Sequence, residues 1–311
     1  MTTTPFVGEL AGLGTALAWS LSAIAWTSAG RRVGAVPVAA VRLLLATAAL
    51  AAFHALQCGT PWPTGYRADA QGLLMASGAI GAGLGDMCFF FALKLIGARL
   101  GMLVATISPG FAALFALVTP LGDRVNAAGA AGMALTMIGV AWAVLAEQGP
   151  HAAELERRTL WRGVGYAAAA SVFFAIGFTL SRLGMHVDPA HPVPPLAASL
   201  FRVAAGAVFT WACLPFLGGW GGALRTMRNG RVMRTILWGT AVGPILGIWL
   251  SMVSLDGVET GVATALISAG PALFMLPLAY LAHRERPSRH GLFGTLIACA
   301  GVAVLLLRNR F

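Results

Sequence analysis

The most constraining feature of this sequence is an internal duplication. Residues 78–145 recur 162 positions later as residues 240–307, with glycine, proline and arginine in matched places. The matched pairs include Gly81 and Gly243, Gly85 and Gly247, Pro109 and Pro271, Arg124 and Arg286, and Gly139 and Gly301. A duplication of this length means that the chain builds the same series of elements twice, which determines its architecture.

The repeat also includes segments that precede residue 78. Ser20 matches Ser171 at an offset of 151, and Arg42 matches Arg202 at an offset of 160. The drift in offset indicates that the two copies have loops of slightly different length. The predicted organisation is a first repeat, a connecting loop and a second repeat, at residues 1–148, 149–160 and 161–311.

Both repeats are too apolar for a soluble protein. Apolar residues make up 58% of the chain and charged residues 10%, and the mean hydropathy is +0.79. Soluble domains carry about a quarter charged residues. The sequence therefore indicates a multi-pass membrane protein in contact with the lipid bilayer. Its longest hydrophilic segment, residues 147–162, leaves no room for a soluble ATPase, kinase or DNA-binding domain.

The net charge of +10 would suggest a nucleic-acid partner in a soluble protein. Here it indicates basic loops at the membrane surface, and we expect no nucleic-acid partner. The four cysteines, Cys58, Cys88, Cys213 and Cys299, are scattered and show neither metal spacing nor a disulfide pattern. We therefore expect no metal and no cofactor.

Apolar segments of membrane-spanning length occur five times in each repeat. A bilayer core of about 30 Å needs about 20 mostly apolar residues per helix. The predicted spans are residues 8–29, 36–57, 71–94, 98–120 and 126–146 in the first repeat, and 161–183, 196–217, 232–255, 260–281 and 289–307 in the second.

Because five is an odd number, the second repeat enters the membrane from the opposite side to the first. This predicts an all-α integral membrane protein with ten transmembrane helices in two inverted five-helix repeats around a central cavity. The arrangement is typical of secondary transporters, whose substrate site lies near the midplane between the repeats.

The order of these features resembles the drug/metabolite transporter superfamily. An arginine opens the second span of each repeat, a proline lies within the fourth, and a glycine-rich fifth span follows a turn with an acidic residue. Asp123 stands at that turn, where family members more usually have Glu. The nearest branch is the EamA-type ten-helix exporters, and the layout is similar to that of the aromatic and hydrophobic amino-acid exporters.

The resemblance implies a secondary transporter that works by alternating access without ATP in the bacterial inner (cell) membrane. It implies export of amino acids, with aromatic and hydrophobic ones favoured, or of related small metabolites, and it implies that the protein is not an enzyme. Two alternatives stay open at this point. One is a multidrug or cationic-compound exporter, and the other is a membrane-embedded enzyme, for which the sequence shows no catalytic constellation.

Aromatic residues in the first span of each repeat are candidates for contact with the substrate, because aromatic walls suit an apolar side chain. In the first repeat, Trp19 and Ser22 share a helical face near the middle of the span. Trp26 lies near the span's end, where an indole commonly sits at the membrane interface. The matching span of the second repeat offers Phe173, Phe174 and Phe178.

The fourth and ninth spans carry a matched set of polar residues and prolines. The substrate-binding candidates are Met102 and Thr106 in one repeat and Thr264 and Ser268 in the other. Pro109 and Pro271 follow them and remove a backbone hydrogen bond. We predict that these prolines act as hinges; a plain kink is the alternative. Glycines of the fifth and tenth spans indicate close packing, either of the two repeats or of a homodimer.

Asp86 is the principal candidate for a functional charge, because a carboxylate inside a span is costly and usually functional. It follows Gly83-Leu84-Gly85, a pattern also found in intramembrane aspartyl proteases, but no second Asp lies within a predicted span. We predict a buried ion pair between Asp86 and Arg42, since the two lie at similar depths. The pair has either a structural role or a role in proton coupling, and Asp86 is also a candidate contact for the substrate.

Two arguments about orientation disagree. Lys and Arg lie mostly on loops after odd-numbered spans, among them Arg31, Arg32, Arg157 and Arg158. That bias places these loops in the cytoplasm and both termini outside. The family resemblance implies cytoplasmic termini instead, so the side of the termini stays open.

Overall fold

The structure is a computed structural model. It describes residues 5–119, 125–146, 157–217, 219–270, 273–274 and 289–307. Within these ranges the chain forms helices and connecting turns, with no β-strand.

The helices of the first repeat follow one another with short breaks. They are α1 (Pro5–Val33), α2 (Ala35–Cys58), α3 (Ala68–Ser77), a π-helical segment π1 (Gly78–Gly85), α4 (Asp86–Ala105), α5 (Ser108–Leu117) and α6 (Ala127–Ala146). Segments α3, π1 and α4 are continuous along the chain.

The second repeat follows the same order, with one additional helix and with the counterpart of α4 divided into two helices. Its helices are α7 (Arg157–His186), α8 (Pro195–Cys213), α9 (Trp220–Arg228), α10 (Gly230–Thr240), a π-helical segment π2 (Ala241–Gly247), α11 (Ile248–Gly257), α12 (Thr260–Ser268) and α13 (Arg289–Leu307). The additional helix is α9, which the sequence analysis did not predict. Its Ala223 and Thr226 are buried, and its Arg225 and Arg228 are exposed.

In the part of the chain that the structure describes, seven helical stretches are long and apolar enough to cross a membrane, and two shorter apolar helices accompany them. The shorter helices, Ser108–Leu117 and Ala127–Ala143, lie in the predicted fourth and fifth spans. The predicted ninth span, 260–281, lies partly outside the described residues. The fold is therefore helical and multi-pass, while the count of ten spans stays a prediction.

The predicted boundary between the third and fourth spans falls inside α4, which contacts α7 on both sides of that boundary. Phe91 packs against Tyr166, with ring centroids 5.5 Å apart. Further along α4, the carbonyl of Val104 accepts a hydrogen bond from Ser171 Oγ at 3.2 Å. Both sides of the predicted boundary therefore lie against the first helix of the second repeat.

The two π-helical segments are 162 positions apart, the same offset as the sequence repeat. Segment π1 ends at Gly85 and π2 ends at the matching Gly247. A π-helical turn widens the helix locally and is frequent at functional sites. Glycines in π1 and π2 allow neighbouring helices to approach closely: a Cβ on Gly81 would be 3.3 Å from Gly177 Cα.

The first helix of each repeat packs against the third span of the other repeat. Helix α1 lies against α10, π2 and α11, where Thr15 Oγ1 donates to the carbonyl of Gly247 at 3.3 Å. Helix α7 lies against α3, π1 and α4 in the same way. The reciprocal contacts extend the sequence duplication to the tertiary structure.

Helices α6 and α13 form the most extensive helix pair of the described chain. They run antiparallel, because Gly139 packs on Gly294 and Ala298, whereas Gly132 packs on Gly301 and Leu305. These glycines therefore join the two repeats within one chain, and a homodimer remains a prediction.

The proline predicted to kink the fourth span lies at a break between two helices. Helix α4 ends at Ala105, and Pro109 is the second residue of α5, where a missing N–H is tolerated. The second repeat has a matching break after Ser268, at the end of α12. Pro271 lies outside the described residues.

Candidate functional site

A cavity of about 930 Å³ lies between the two repeats and is lined by residues of both. This volume falls within the range of small-molecule sites in proteins. Most of the wall is apolar, and it includes seven aromatic side chains from three helices: Trp19, Trp26, Phe89, Phe90, Phe91, Phe174 and Phe178. The arrangement suits a solute with an apolar body that meets a small number of polar groups.

Asp86 begins α4 and borders the cavity, with 20% of its side chain exposed. Its Oδ2 accepts a hydrogen bond from Arg42 Nη2 of α2, which forms a buried ion pair. The Arg42 guanidinium also lies over the ring of Trp26, at 4.2 Å from its centroid, and 5.4 Å from the centroid of Phe90. The aromatic faces provide further cation–π stabilisation for a charge held away from water.

Arg202 lies on α8 and borders the same cavity from the second repeat, although only 4% of the residue is exposed. Its Nη1 donates to Gly177 O at 2.9 Å, to Ser181 Oγ at 2.8 Å and to Ser77 O at 3.3 Å. The guanidinium lies 5.0 Å from the centroid of Phe178. Arg202 therefore joins α8 to α7 and to the end of α3.

The break between α4 and α5 brings polar groups to the cavity wall. Thr106, in the turn, is buried and borders the cavity, as does Ser108 at the start of α5. Ser108 Oγ is buried and has no hydrogen-bond partner among the described residues. Ser268 reaches the wall from the end of α12, at the matching break of the second repeat.

The structure brings together six of the ten predicted substrate-binding residues. Trp19, Asp86, Thr106, Phe174, Phe178 and Ser268 border the cavity. Trp19 and Phe178 stack with ring centroids 6.3 Å apart, which links the first helices of the two repeats across the site.

Three other candidates do not contribute to the described cavity wall. Ser22 is fully buried and its hydroxyl donates to the carbonyl of Trp19 at 3.1 Å. Thr264 donates to the carbonyl of Thr260 at 2.7 Å. Phe173 is half-buried on another face of α7. The side chain of Met102 lies outside the described part of the chain.

Several residues of the site were missed by the sequence analysis. Trp26 was interpreted as an interfacial indole, but its ring lies on Arg42 inside the protein and against Gly239 and Gly243. Arg202 was recognised only as the repeat partner of Arg42. The duplication is the signal that could have revealed it, since it predicts a second arginine at the same place in the fold.

Lys94 adds a further positive charge to the cavity wall and is exposed. Within the described residues, no group of three or more His, Cys, Asp or Glu side chains is arranged to hold a metal ion.

Comparisons with known proteins agree with this architecture. The EamA-like transporter family matches the chain twice, at residues 6–145 and 161–307. A solved structure described only as a crystal structure of a protein has a TM-score of 0.74 and 21% sequence identity, and the match covers 97% of each chain. At this identity the likeness concerns the fold alone. No curated protein matches the sequence.

Proposed function

Because this chain belongs to the EamA-like transporter family, within the drug/metabolite transporter superfamily, we propose that it exports amino acids or related small metabolites. The protein is a multi-pass membrane transporter. Amino acids with aromatic or hydrophobic side chains are the favoured substrates. The proposed location is the bacterial inner membrane.

The observation that carries this proposal is the cavity between the repeats. It combines an aromatic wall with the ion pair of Asp86 and Arg42, and both repeats contribute to it. An apolar side chain would pack against Trp19, Phe174 and Phe178. The charged groups of an amino acid would then lie near the ion pair.

The proposed mechanism is alternating access by two inverted five-helix repeats with ten spans. The antiparallel packing of α6 on α13 supports inversion, because two matched helices that run in opposite directions imply a two-fold axis perpendicular to them. The breaks at 106–107 and after Ser268 border the cavity, so bending there would change access to the substrate. Pro109 and Pro271 are the proposed hinges at these breaks.

Transport by the purified protein in liposomes tests the proposal. We expect counterflow of labelled phenylalanine, leucine or related amino acids without ATP. Trp19→Ala and Thr106→Ala in one repeat, and Phe174→Ala and Ser268→Ala in the other, should each reduce transport without loss of expression. An effect confined to one repeat would contradict a shared site, and absence of transport for the whole amino-acid panel would contradict the proposed substrates.

A multidrug or cationic-compound exporter is the second candidate function. The partly exposed carboxylate of Asp86 beside aromatic rings favours it, because such a site can bind an organic cation. Uptake of a quaternary ammonium dye into the same liposomes distinguishes the two candidates.

A further inference from the structure

We propose that the cavity recognises its substrate through a carboxylate, which Arg42 binds, and that an ammonium group on the substrate is dispensable. This inference rests on the proposed function and specifies the substrate class as small organic carboxylates with an apolar body. It reverses the simplest interpretation of Asp86, in which that carboxylate attracts a cation. Three features of the cavity carry the inference.

The first feature is the charge balance. The described cavity wall contains three cationic side chains, Arg42, Lys94 and Arg202, and one carboxylate, Asp86, which gives +3 − 1 = +2. Without the exposed Lys94, the two buried arginines still exceed Asp86 by one charge. An uncompensated charge within a membrane protein is costly. A bound carboxylate would neutralise that charge, whereas a bound cation would add to it.

The second feature is the set of unused donors on Arg42. A guanidinium has five N–H donors in a planar fork that matches a carboxylate. In the described structure Nη2 of Arg42 has one acceptor, Asp86, while Nε is buried without a partner. A buried polar group without a partner is unfavourable and calls for an explanation. A substrate carboxylate bound by the Arg42 guanidinium would give these donors an acceptor.

The third feature is the state of Asp86. Its carboxylate is already bound to Arg42, so an ammonium group would have to compete with a fixed guanidinium for the same oxygens. Arg202 borders the same cavity and adds a second positive charge there. Two arginines near a single carboxylate disfavour a third cation. The apolar wall formed by Trp19, Phe174 and Phe178 would then hold the body of the substrate.

Three probes that share a phenylethyl group test this inference directly. They are 3-phenylpropanoate, which has only the carboxylate, phenethylamine, which has only the amine, and L-phenylalanine, which has both. Calorimetric titration of the full-length protein in detergent gives their Kd values. We expect 3-phenylpropanoate and L-phenylalanine to bind with similar Kd, and phenethylamine to bind about tenfold or more weakly.

Two variants assign the effect to Arg42. Arg42→Lys keeps the charge but loses the planar fork, and it should weaken the binding of 3-phenylpropanoate about tenfold. The double variant Arg42→Gln/Asp86→Asn removes both charges together and leaves no unpaired ion, so it should fold and lose carboxylate binding by about 10- to 100-fold. Arg225→Gln, at an exposed arginine of α9, is the matched control and should bind like the wild type.

Several outcomes would overturn the inference. They are phenethylamine binding more tightly than 3-phenylpropanoate, the absence of binding for all three probes, and a folded double variant that binds carboxylates as the wild type does. Counterflow in liposomes separates this failure from that of the proposed function. If cationic amino acids are transported and carboxylates without an amine are not, the inference alone fails. If no amino acid is transported, the proposed export of amino acids fails.

Discussion

Arg42 and Arg202 occupy matched positions in the two repeats, yet their guanidinium groups have different surroundings. Arg202 donates to three acceptors through Nη1 alone, and two of them are backbone carbonyls. Arg42 has Asp86 as its one hydrogen-bond acceptor in the described chain, together with the ring of Trp26. One arginine thus holds helices together, while the other borders the cavity and has one buried donor, Nε, without a partner among the described residues.

Residues at matched positions explain this difference. Trp26 and Gly177 are 151 positions apart, the offset that relates the first helices of the repeats. Gly177 has no side chain, so Arg202 reaches the backbone of α7. At the matching place in α1 stands Trp26, and the Arg42 guanidinium lies over its ring. The exchange of glycine for tryptophan is therefore one of the differences between the surroundings of Arg202 and those of Arg42.

A second exchange acts on the charge. Asp86 and Ile248 are 162 positions apart, and both border the cavity. Only the first repeat therefore supplies a carboxylate at this place. The duplicated fold keeps its symmetry in the helices and loses it at the site, which allows one cavity to bind an asymmetric solute.

The largest expected effect is on Arg202. Arg202→Gln removes three hydrogen bonds from a charged donor and leaves the carbonyls of Ser77 and Gly177 buried. Bonds to charged groups contribute about 1.5–3 kcal/mol each, so we expect the free energy of unfolding to fall by about 5 kcal/mol. Denaturant unfolding in detergent micelles measures the change. A variant of near-normal stability would contradict the structural role that separates Arg202 from Arg42.

The next effect concerns the pair of Arg42 and Asp86. Arg42→Gln and Asp86→Asn each leave one buried charge without its partner, and each should lower the free energy of unfolding by about 3 kcal/mol. The double variant should recover much of this loss, because neither charge remains. The same unfolding assay measures all three variants, and a double variant that is no more stable than the singles would exclude the structural role of the pair.

Uptake by Asp86→Asn at several pH values distinguishes the two predicted roles of Asp86. A stable Asp86→Asn protein whose uptake no longer depends on pH would identify Asp86 as a proton-coupling residue.

A smaller effect is expected at Gly81, beside Arg202. A Cβ at this position would lie 2.7 Å from Arg202 Nη2, so the guanidinium must shift. We expect Gly81→Ala to lower the free energy of unfolding by about 1–3 kcal/mol. Gly165→Ala on α7 is the control, because its Cβ would meet nothing within 4 Å. It should be neutral or stabilising by up to about 1 kcal/mol, and equal losses in both variants would contradict this account.

The smallest effect compares two neighbouring rings on α7. Phe174 borders the cavity and packs against Phe89 with ring centroids 6.1 Å apart, whereas Phe173 is absent from the described wall. Phe174→Ala should reduce amino-acid counterflow several-fold, and Phe173→Ala should change it less. A larger loss from Phe173→Ala would show that the substrate path follows another face of α7.

The sequence predicted much of the fold because the duplication and the apolar segments depend on local composition. The sequence predicted an irregularity near Pro109 and close packing at the glycines of α6. The structure has a break between two helices near Pro109, so the proline begins a helix and does not kink one. It missed α9, which is short and basic and lacks the apolar length of a span. The site was harder to predict, because the sequence shows which residues share a helical face but not whether that face meets the cavity or another helix. Ser22 and Thr264 have suitable side chains, but their hydroxyls bond to their own helices.

The reciprocal packing of the first helices has a consequence for synthesis in the cell. Helix α1 is made first, yet its partners α10, π2 and α11 follow more than 200 residues later, as the 232 positions between Thr15 and Gly247 illustrate. Until then, α1 carries buried residues such as Thr15 without the segment that Thr15 contacts in the finished protein. Contacts between distant segments form slowly. The packing of α1 therefore requires the second repeat. A chain that ended after α6 would lack the helices of the second repeat that α1 contacts.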